Sequence, residues 1–164
     1  MNHRPASTTY MIWEPFEQAL PLLKEALLKD GLTISAELDI SERIQQELGV
    51  RFDPCKVLYV DHPVLLLEAI EQDVSAAAFI PFHVVVCGSG HYTQVHTSKP
   101  TRDHDTADLP LRVRVPVDKL RARISRAIET VAMREGSHAA ASPRIRTAAA
   151  RPASGEERAA ARES

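Results

Sequence analysis

The sequence predicts an α+β domain, with helices largely on one face of a mixed, mostly antiparallel sheet. In the first half of the chain, segments with helical periodicity alternate with short strand-like segments. Further along, the glycines and serine of residues 88–90 indicate a hairpin turn between two strands, and a last helical pattern follows. Together these observations predict the order βαβαβαββα in a single domain.

The first three predicted elements are a strand, a helix and a second strand. Residues 10–13 are a short strand candidate, and residues 14–30 place their apolar side chains on one helical face. Pro21 conflicts with this helix and predicts a kink or a later start, whereas Gly31 suits its C-terminal end. Residues 32–38 alternate between apolar and polar side chains, which predicts a half-buried strand.

A second helix is predicted from its end signals. Asp39 and Glu42 have the spacing of a capping box, and Gly49 provides the stop. The helix between them carries an apolar row on one face, which consists of Ile40, Ile44 and Leu48. Residues 55–60 lack alternation, which predicts a strand buried on both faces. Pro63 then suits the first position of a third helix that ends near residue 72.

The second half of the predicted domain contains the longest apolar run, residues 76–87. Pro81 lies inside this run and cannot donate a hydrogen bond to a sheet, so it marks an edge, a bulge or the start of a strand. Residues 92–97 alternate and predict the return strand of the hairpin. Pro116 is then predicted to open the last helix. The predicted buried stripe of that helix is Val117, Leu120, Ile124, Ala127 or Ile128, and Val131.

Composition divides the chain into three parts. Residues 1–8 are predicted to be a flexible N-terminus, and residues 9–134 are predicted to form the folded domain. Residues 135–164 are rich in Ala, Arg and Ser, and Ile145 is their only large apolar residue. Such a segment cannot bury enough apolar surface to offset the entropy of ordering it, which predicts a disordered tail.

Composition also argues against several classes of protein. The formal net charge of −2 gives no case for binding nucleic acid, and no stretch approaches the roughly 20 apolar residues that span a membrane. The polar N-terminus lacks the apolar run of a secretory signal, which predicts a cytoplasmic protein. Cys55 and Cys87 fit no metal or redox spacing, so we interpret them as small packing residues. The sequence contains no catalytic triad or phosphate-binding motif, and no cofactor is expected.

Two apolar segments with a proline carry a family resemblance. The first reads Val-Leu-Tyr-Val-Asp-His-Pro over residues 57–63, and the second reads Phe-Ile-Pro-Phe-His-Val-Val over residues 79–85. With the element order, they resemble the domain of unknown function 302 family over about residues 9–133. Where that family has Cys-Asn-Pro, this chain has Asp61 and His62 before the proline, and Phe82 replaces a second cysteine. The resemblance implies a small α+β domain that pairs as a dimer and has no established reaction. It carries no thiol chemistry over to this chain.

Asp61, His62, His83 and His96 are the candidate site residues. Asp61 and His62 are predicted at a strand-to-helix turn, where unpaired backbone N–H groups favour a ligand or a cap. A hairpin loop of two or four residues would place His83 opposite His96 on one face, whereas a three-residue loop would separate them. Two imidazoles and a carboxylate suit a divalent metal. The alternative is structural, with Asp61 and His62 as helix caps, His83 packed in the sheet and His96 facing solvent.

These observations lead to three functional hypotheses. The leading one is a ligand-binding or accessory protein without a catalytic motif. It is predicted to be a homodimer, because the apolar run of residues 76–86 is hard to cover in so small a domain. The first alternative is a metal-binding accessory protein or enzyme that uses the Asp/His cluster. The second alternative is an RNA- or protein-binding module that uses the tail and the basic side chains of the last helix. Those side chains are Lys119, Arg121, Arg123 and Arg126.

Overall fold

One antiparallel sheet and four α-helices make up the part of the chain that the computed structural model describes, residues 7–98 and 110–132. The elements in chain order are β1 (Ser7–Ile12), α1 (Phe16–Lys29), β2 (Thr33–Asp39), α2 (Ile40–Leu48), β3 (Cys55–Asp61), α3 (Pro63–Gln72), β4 (Phe82–Ser89), β5 (Tyr92–Ser98) and α4 (Leu111–Ala132). A 3-10 helix (Val74–Phe79) lies between α3 and β4. The predicted α+β class and the predicted element order are confirmed.

The strands of the described residues form a single sheet in the order β1-β5-β4-β3-β2. Each neighbouring pair in this order is antiparallel. β4 and β5 form the predicted hairpin, in which Ser89 pairs with Tyr92, so that Gly90 and His91 make the loop. Gly90 has a φ of 68°, a conformation that glycine adopts without steric cost.

The core lies between the helices α1, α3 and α4 and one face of the sheet, which we call the inner face. The inner face contributes buried side chains to the core, which are Leu58, Val60, Val84, Val86 and Val95. The alternate residues of each strand point to the opposite side, the outer face. The helices bury the apolar stripes that their periodicity predicts. These stripes include Phe16, Ala19, Leu20, Leu23 and Leu27 in α1, and Val117, Leu120, Ile124, Ala127, Ile128 and Val131 in α4.

The helix α2 differs from the others because none of its residues is buried. Its ends follow the predicted signals, except that the Glu42 side chain accepts from Nε2 of Gln46 at 2.9 Å and not from the backbone of Asp39. Oδ1 of Asp39 accepts the backbone N–H of Glu42 at 2.8 Å, and Gly49 closes the helix with a φ of 66°. Asp39 is also the last residue of β2, so α2 begins where the strand ends, without a linker.

Pro116 occupies a position that differs from the prediction, and Pro21 excludes one of its two predicted alternatives. α4 begins at Leu111, and Pro116 lies inside the helix instead of opening it. The start is set by Pro110, whose carbonyl oxygen accepts the first two backbone hydrogen bonds of the helix at 2.9 and 3.0 Å. Pro116 is buried in the core, and its missing N–H removes only one hydrogen bond of the helix. Pro21 likewise lies inside α1, which does not start later as the alternative prediction requires.

The apolar run of residues 76–87 is divided between the 3-10 helix, a cis peptide bond between Ile80 and Pro81, and β4. Pro81 therefore precedes a strand, which is one of the placements predicted for it. The run contributes several buried side chains to the core, which are Ala76, Ile80, Val84 and Val86. Because the domain covers these residues by itself, the run does not support the predicted dimer.

The described residues also bear on the predicted boundaries. β1 begins at Ser7, so the end of the predicted flexible segment, residues 1–8, belongs to a strand. Residues 99–109 and the predicted tail lie outside the described residues. Within residues 7–98 and 110–132, no helix has both the length and the apolar character needed to cross a membrane.

Candidate functional site

The two proline-containing motif segments meet at one end of the sheet. β3 and β4 are paired, with Val60 directly opposite Phe82. Asp61 and His62 therefore leave β3 beside the point where Pro81 leads into β4. The residues that carry the family resemblance thus come together in space, although they belong to separate elements.

His62 caps α3. Its Nδ1 accepts the backbone N–H of Leu65 at 3.4 Å, and Pro63 occupies the first helical position. An accepting Nδ1 places the proton of the neutral imidazole on Nε2. A carbon added to Gly31 would lie 3.9 Å from this Nε2 and 3.6 Å from Nη1 of Arg123, so these groups are neighbours. The predicted capping role of His62 is confirmed.

Asp61 is the last residue of β3 and pairs with Thr33 of β2. The residue is only 9% exposed, which is unusual for an aspartate. Alternation along β3 places it on the outer face, because Leu58 and Val60 belong to the inner face. The N-cap of α3 is His62 rather than Asp61, so the capping role predicted for Asp61 is wrong.

His83 lies on the outer face, directly opposite Tyr59. The two rings meet edge to face, with centroids 5.0 Å apart and an interplanar angle of 85°. His83 is exposed, so its interpretation as a packed histidine is wrong. The physical reason is the pleat of β4, which gives the core positions to Val84 and Val86 and leaves His83 on the other side.

His96 shares the outer face with His83, but the two residues are not directly opposite each other. His96 pairs with Val85, two residues further along β4. The loop has two residues, as one of the predicted alternatives requires, but it lies later in the chain than the turn signal of residues 88–90. A slip of two residues preserves the face of a strand side chain, so both imidazoles still point to one side.

His96 is held by a neighbouring strand. Its Nδ1 lies 3.0 Å from Oγ1 of Thr9, the residue opposite it in β1. Partial burial disfavours the charged imidazole and lowers the pKa of His96 below its ordinary value. The ring is therefore neutral at physiological pH, with one nitrogen bonded to the threonine.

The four candidate residues do not form one cluster. Asp61 and His62 belong to the junction of β3 and α3, whereas His83 and His96 lie on the outer face of β4 and β5. In the described ranges, no three His, Cys, Asp or Glu side chains lie close enough to hold one metal ion. The metal hypothesis therefore has no geometric support from these residues.

A small cavity lies next to the second motif segment, between the end of the sheet and α4. It has a volume of about 70 Å³, and its lining includes Phe82 and Arg121. The guanidinium of Arg121 lies over the Phe82 ring, 5.4 Å from the ring centroid, at the distance of a cation–π contact. The Phe82 ring therefore provides the surface on which the arginine rests.

Sequence reasoning missed the role of Arg121 because it treated the basic residues of α4 as one set. The structure separates them. Arg123 donates to the carbonyl of Asp30 at 3.4 Å, and Arg126 lies 3.8 Å from the carboxylate of Asp30. These two arginines tie α4 to the C-terminal end of α1, where positive charge is favourable. Arg121 alone of the three lines the cavity beside Phe82. Its position directly after Leu120, at the border of the buried stripe, is the one sequence signal for this role.

A larger cavity, about 210 Å³, lies between α1 and α4. Charged side chains of both signs line it, and they pair with each other. Lys29 contacts Glu25 at 2.7 Å, and Arg126 faces Asp30. This cavity contains no residue of either motif segment, and its charges are already balanced. We therefore regard the smaller cavity as the candidate site.

Comparison with known proteins identifies the family. Residues 8–131 match the family described as domain of unknown function DUF302. The chain belongs to the DUF302 family. Its fold agrees with the crystal structure of an uncharacterized conserved DUF302 protein from Bacillus stearothermophilus, with a TM-score of 0.67 and 17% identity over 78% of this chain and 99% of that chain. At this identity the likeness shows the fold alone. The comparison with curated proteins found no match for this chain.

Proposed function

We propose that this DUF302 protein is a homodimeric binding protein that holds the anionic group of a small ligand with Arg121. The observation that carries the proposal is the position of the guanidinium, which lines a cavity at the end of the sheet where the motif segments meet. The proposal is of binding rather than catalysis. His83 also lines this cavity, but the register places its ring on the outer face, where it packs against Tyr59.

The groups around the cavity suit an anion. An arginine is always charged and presents a fork of N–H donors that matches a carboxylate or a phosphate. Thr8, Thr97 and Ser125 also line the cavity, and their hydroxyl groups can donate to anionic oxygens. Asp118 contacts Arg121 at 3.3 Å, but the Asp118 side chain is 49% exposed. Water weakens such an exposed pair, so an anion inside the cavity can compete with Asp118 for the guanidinium.

The volume of the cavity limits what it can hold. About 70 Å³ is small beside the roughly 300–1,000 Å³ of pockets that hold a drug-sized ligand. One carboxylate or phosphate group fills such a space, and the rest of the ligand must extend out of it. The proposed recognition is therefore of an anionic head group and not of a whole nucleotide or cofactor.

Titration of the full-length protein with inorganic phosphate and with acetate tests this proposal, with NMR chemical shifts as the readout. We expect saturable shifts in residues around the cavity, and at least a tenfold weaker affinity for the Arg121→Gln variant. Arg126→Gln is the matched control, because it removes the same charge from the same helix outside this cavity. Equal binding by wild type and Arg121→Gln would contradict the proposal.

The homodimer is supported by α2. Its apolar row of Ile40, Ile44 and Leu48 contains no buried residue, and Leu48 is 71% exposed. The chain that follows the helix adds Val50 and Phe52, which are also exposed. A row of this kind on an otherwise polar helix is typical of a surface that is covered by a partner. Two copies that pair through this surface would bury both rows at once, as a two-fold interface requires.

Light scattering of the full-length protein at micromolar concentration tests the dimer. We expect twice the mass of the chain for wild type and the mass of one chain for Leu48→Glu. Gln46→Glu is the matched control, because it adds the same charge on the opposite face of α2. A monomeric wild type, or a Leu48→Glu variant that stays dimeric, would contradict the proposed interface.

A further inference from the structure

The two cysteines are direct partners across β3 and β4. Cys55 pairs with Cys87, and the structure joins them as a disulfide. Their Cα atoms are 4.2 Å apart, close to the roughly 4.5 Å of a non-hydrogen-bonded antiparallel pair, in which side chains lie nearest. This separation is just below the usual disulfide range, which begins at about 4.4 Å. The interpretation of the two cysteines as isolated packing residues is therefore wrong.

We propose that Cys55 and Cys87 form a thiol–disulfide exchange site that takes low-molecular-weight disulfides, such as glutathione disulfide, as its oxidant. The pair lies outside the lining of the Arg121 cavity and does not depend on the ligand proposed for it. It is also distinct from the two cysteines that the family motifs carry, since this chain has Asp61 and Phe82 at those positions.

Backbone contacts hold the two cysteines side by side independently of the bond between them. The N–H of Gly88 donates to the carbonyl of Pro54 at 2.7 Å, and the N–H of Cys55 donates to Oγ of Ser41 at 3.3 Å. The pairing of β3 and β4 then continues without a break as far as Val60. Two reduced thiols in this frame remain neighbours, so closing the disulfide requires no rearrangement of the strands.

The two cysteines differ in their exposure to solvent. Cys55 is 5% exposed, whereas Cys87 is only half-buried. An external disulfide has to reach the attacking sulfur before exchange can begin. Cys87 is therefore the residue that attacks the external disulfide, and Cys55 is the residue that resolves the mixed disulfide.

The exchange runs in two balanced steps. The Cys87 thiolate attacks one sulfur of glutathione disulfide, which breaks the external S–S bond, forms a mixed disulfide and releases one glutathione thiolate. The Cys55 thiolate then attacks the sulfur of Cys87, forms the internal disulfide and releases the second glutathione thiolate. The two protein thiols lose two electrons and two protons, and the external disulfide gains them as two thiols. An excess of glutathione drives the same steps in reverse.

Intact-mass spectrometry of the reduced full-length protein after treatment with glutathione disulfide tests the site. We expect wild type to lose two hydrogens, to retain no glutathione and to have no thiol left for alkylation after unfolding. Peptide mapping should then find Cys55 and Cys87 in one linked species. Wild-type protein that keeps both thiols, or that forms only links between chains, would overturn the proposal.

Single variants test the order of attack. Cys55→Ser should accumulate one stable glutathione adduct at Cys87, at least tenfold faster than Cys87→Ser acquires one at Cys55. Equal rates, or faster reaction of Cys55, would overturn the assigned order. Should either variant fail to fold, acid-quenched time points of the wild-type reaction provide the same information. The transient adduct must map to Cys87, and an adduct at Cys55 contradicts the proposal.

Discussion

The helices α2 and α4 look alike in the sequence and differ in the fold. Both carry apolar residues at helical spacing, but α4 buries eight residues whereas α2 buries none. The difference comes from their connections. α4 packs against α1 and α3 over the inner face, whereas α2 follows β2 without a linker and begins at the end of the sheet. An apolar row therefore predicts a helix, but not the surface that covers it.

The largest loss of stability that this comparison predicts is for a substitution in α4. Leu120 is fully buried, so Leu120→Ala removes packed methyl groups and leaves a cavity in the core. We expect a loss of about 3 kcal/mol in the free energy of unfolding, measured by urea denaturation. A loss as small as that of an exposed leucine would show that α4 is not the central helix of the core.

The second effect concerns the N-cap of α2. Asp39→Ala removes the oxygen that accepts the N–H of Glu42 and the contact with Ser41. Because no buried face holds α2, the cap is an important local support, and we expect a loss of about 1 kcal/mol. Asp39→Asn keeps an accepting oxygen and should lose much less. Asp39→Ala should raise the amide hydrogen-exchange rates of α2 more than those of α4. A larger increase in α4 would contradict this prediction.

A smaller effect is expected from acid. The ammonium groups of Lys24 and Lys56 hydrogen-bond to Glu37 and hold the pKa of its carboxyl below the ordinary value. Hydrogen bonds from Ser41 and from a backbone N–H of α2 do the same for the pKa of Asp39. Both pKa values are lowered on folding, so the stabilisation is complete above the unfolded-state values. It is lost as the pH falls from about 5 towards 3.

Hydrogen exchange between pH 7 and pH 3 measures this effect. Both carboxylates are partly exposed, so we expect each to contribute about 0.5 kcal/mol, with the loss confined to β2 and the start of α2. Glu37→Gln should lower the stability at pH 7 and reduce its dependence on pH. Equal acid sensitivity of α4, which these two carboxylates do not contact, would contradict the prediction.

The smallest effect is expected for Leu48→Ala in α2. Leu48 is 71% exposed, so its truncation removes little buried surface and should change the stability of the monomer by less than about 0.5 kcal/mol. Leu120→Ala and Leu48→Ala make the same chemical change, one in a buried helix face and one in an exposed helix face. The difference between their stability losses therefore measures the effect of burial. A large loss for Leu48→Ala at concentrations too low for association would show that α2 packs within its own chain.

Local chemistry explains which parts of the fold the sequence predicts well. Asp39, Gly49 and Pro63 set helix ends through their own dihedral angles and their nearest neighbours, and the observed ends agree with the prediction. Pro116 shows the limit of this reasoning. Inside a helix, proline loses one hydrogen bond and crowds the preceding turn, so local chemistry favours the first turn. Pro116 nevertheless lies inside α4 with its ring buried, a position that depends on the surrounding core.

Gly88 shows why the sequence places the hairpin turn too early. Two glycines near each other indicate a turn, but only Gly90 belongs to the loop. Gly88 lies under α1, where an added Cβ would approach Cβ of Phe16 to 2.9 Å. Close packing against α1, which is distant in the sequence, therefore requires a glycine at this position, and no local pattern reveals such a requirement.

The candidate site was predictable only where it depends on local sequence signals. The motif segments around His62 and His83 lie at the end of the sheet that holds the candidate cavity, because their prolines mark element boundaries. The two histidines have different roles, since His62 caps its own helix and His83 packs against the ring of Tyr59. Arg121 could not be predicted, because its contact with Phe82 joins two elements that are far apart in the chain.

The irregular pairing at the β2 edge of the sheet has a consequence for aggregation. The register between β2 and β3 shifts between Ile34 and Ala36, and Oγ of Ser35 donates to the carbonyl of Tyr59 at 3.1 Å. A strand from another molecule can pair with this edge only where the backbone N–H and C=O groups are regularly spaced. The bulge interrupts that spacing, and the charge of Glu37 further disfavours pairing. This edge should therefore resist fibril-like stacking even when the protein is concentrated. Removal of the irregularity would be expected to expose the sheet to strand-by-strand growth.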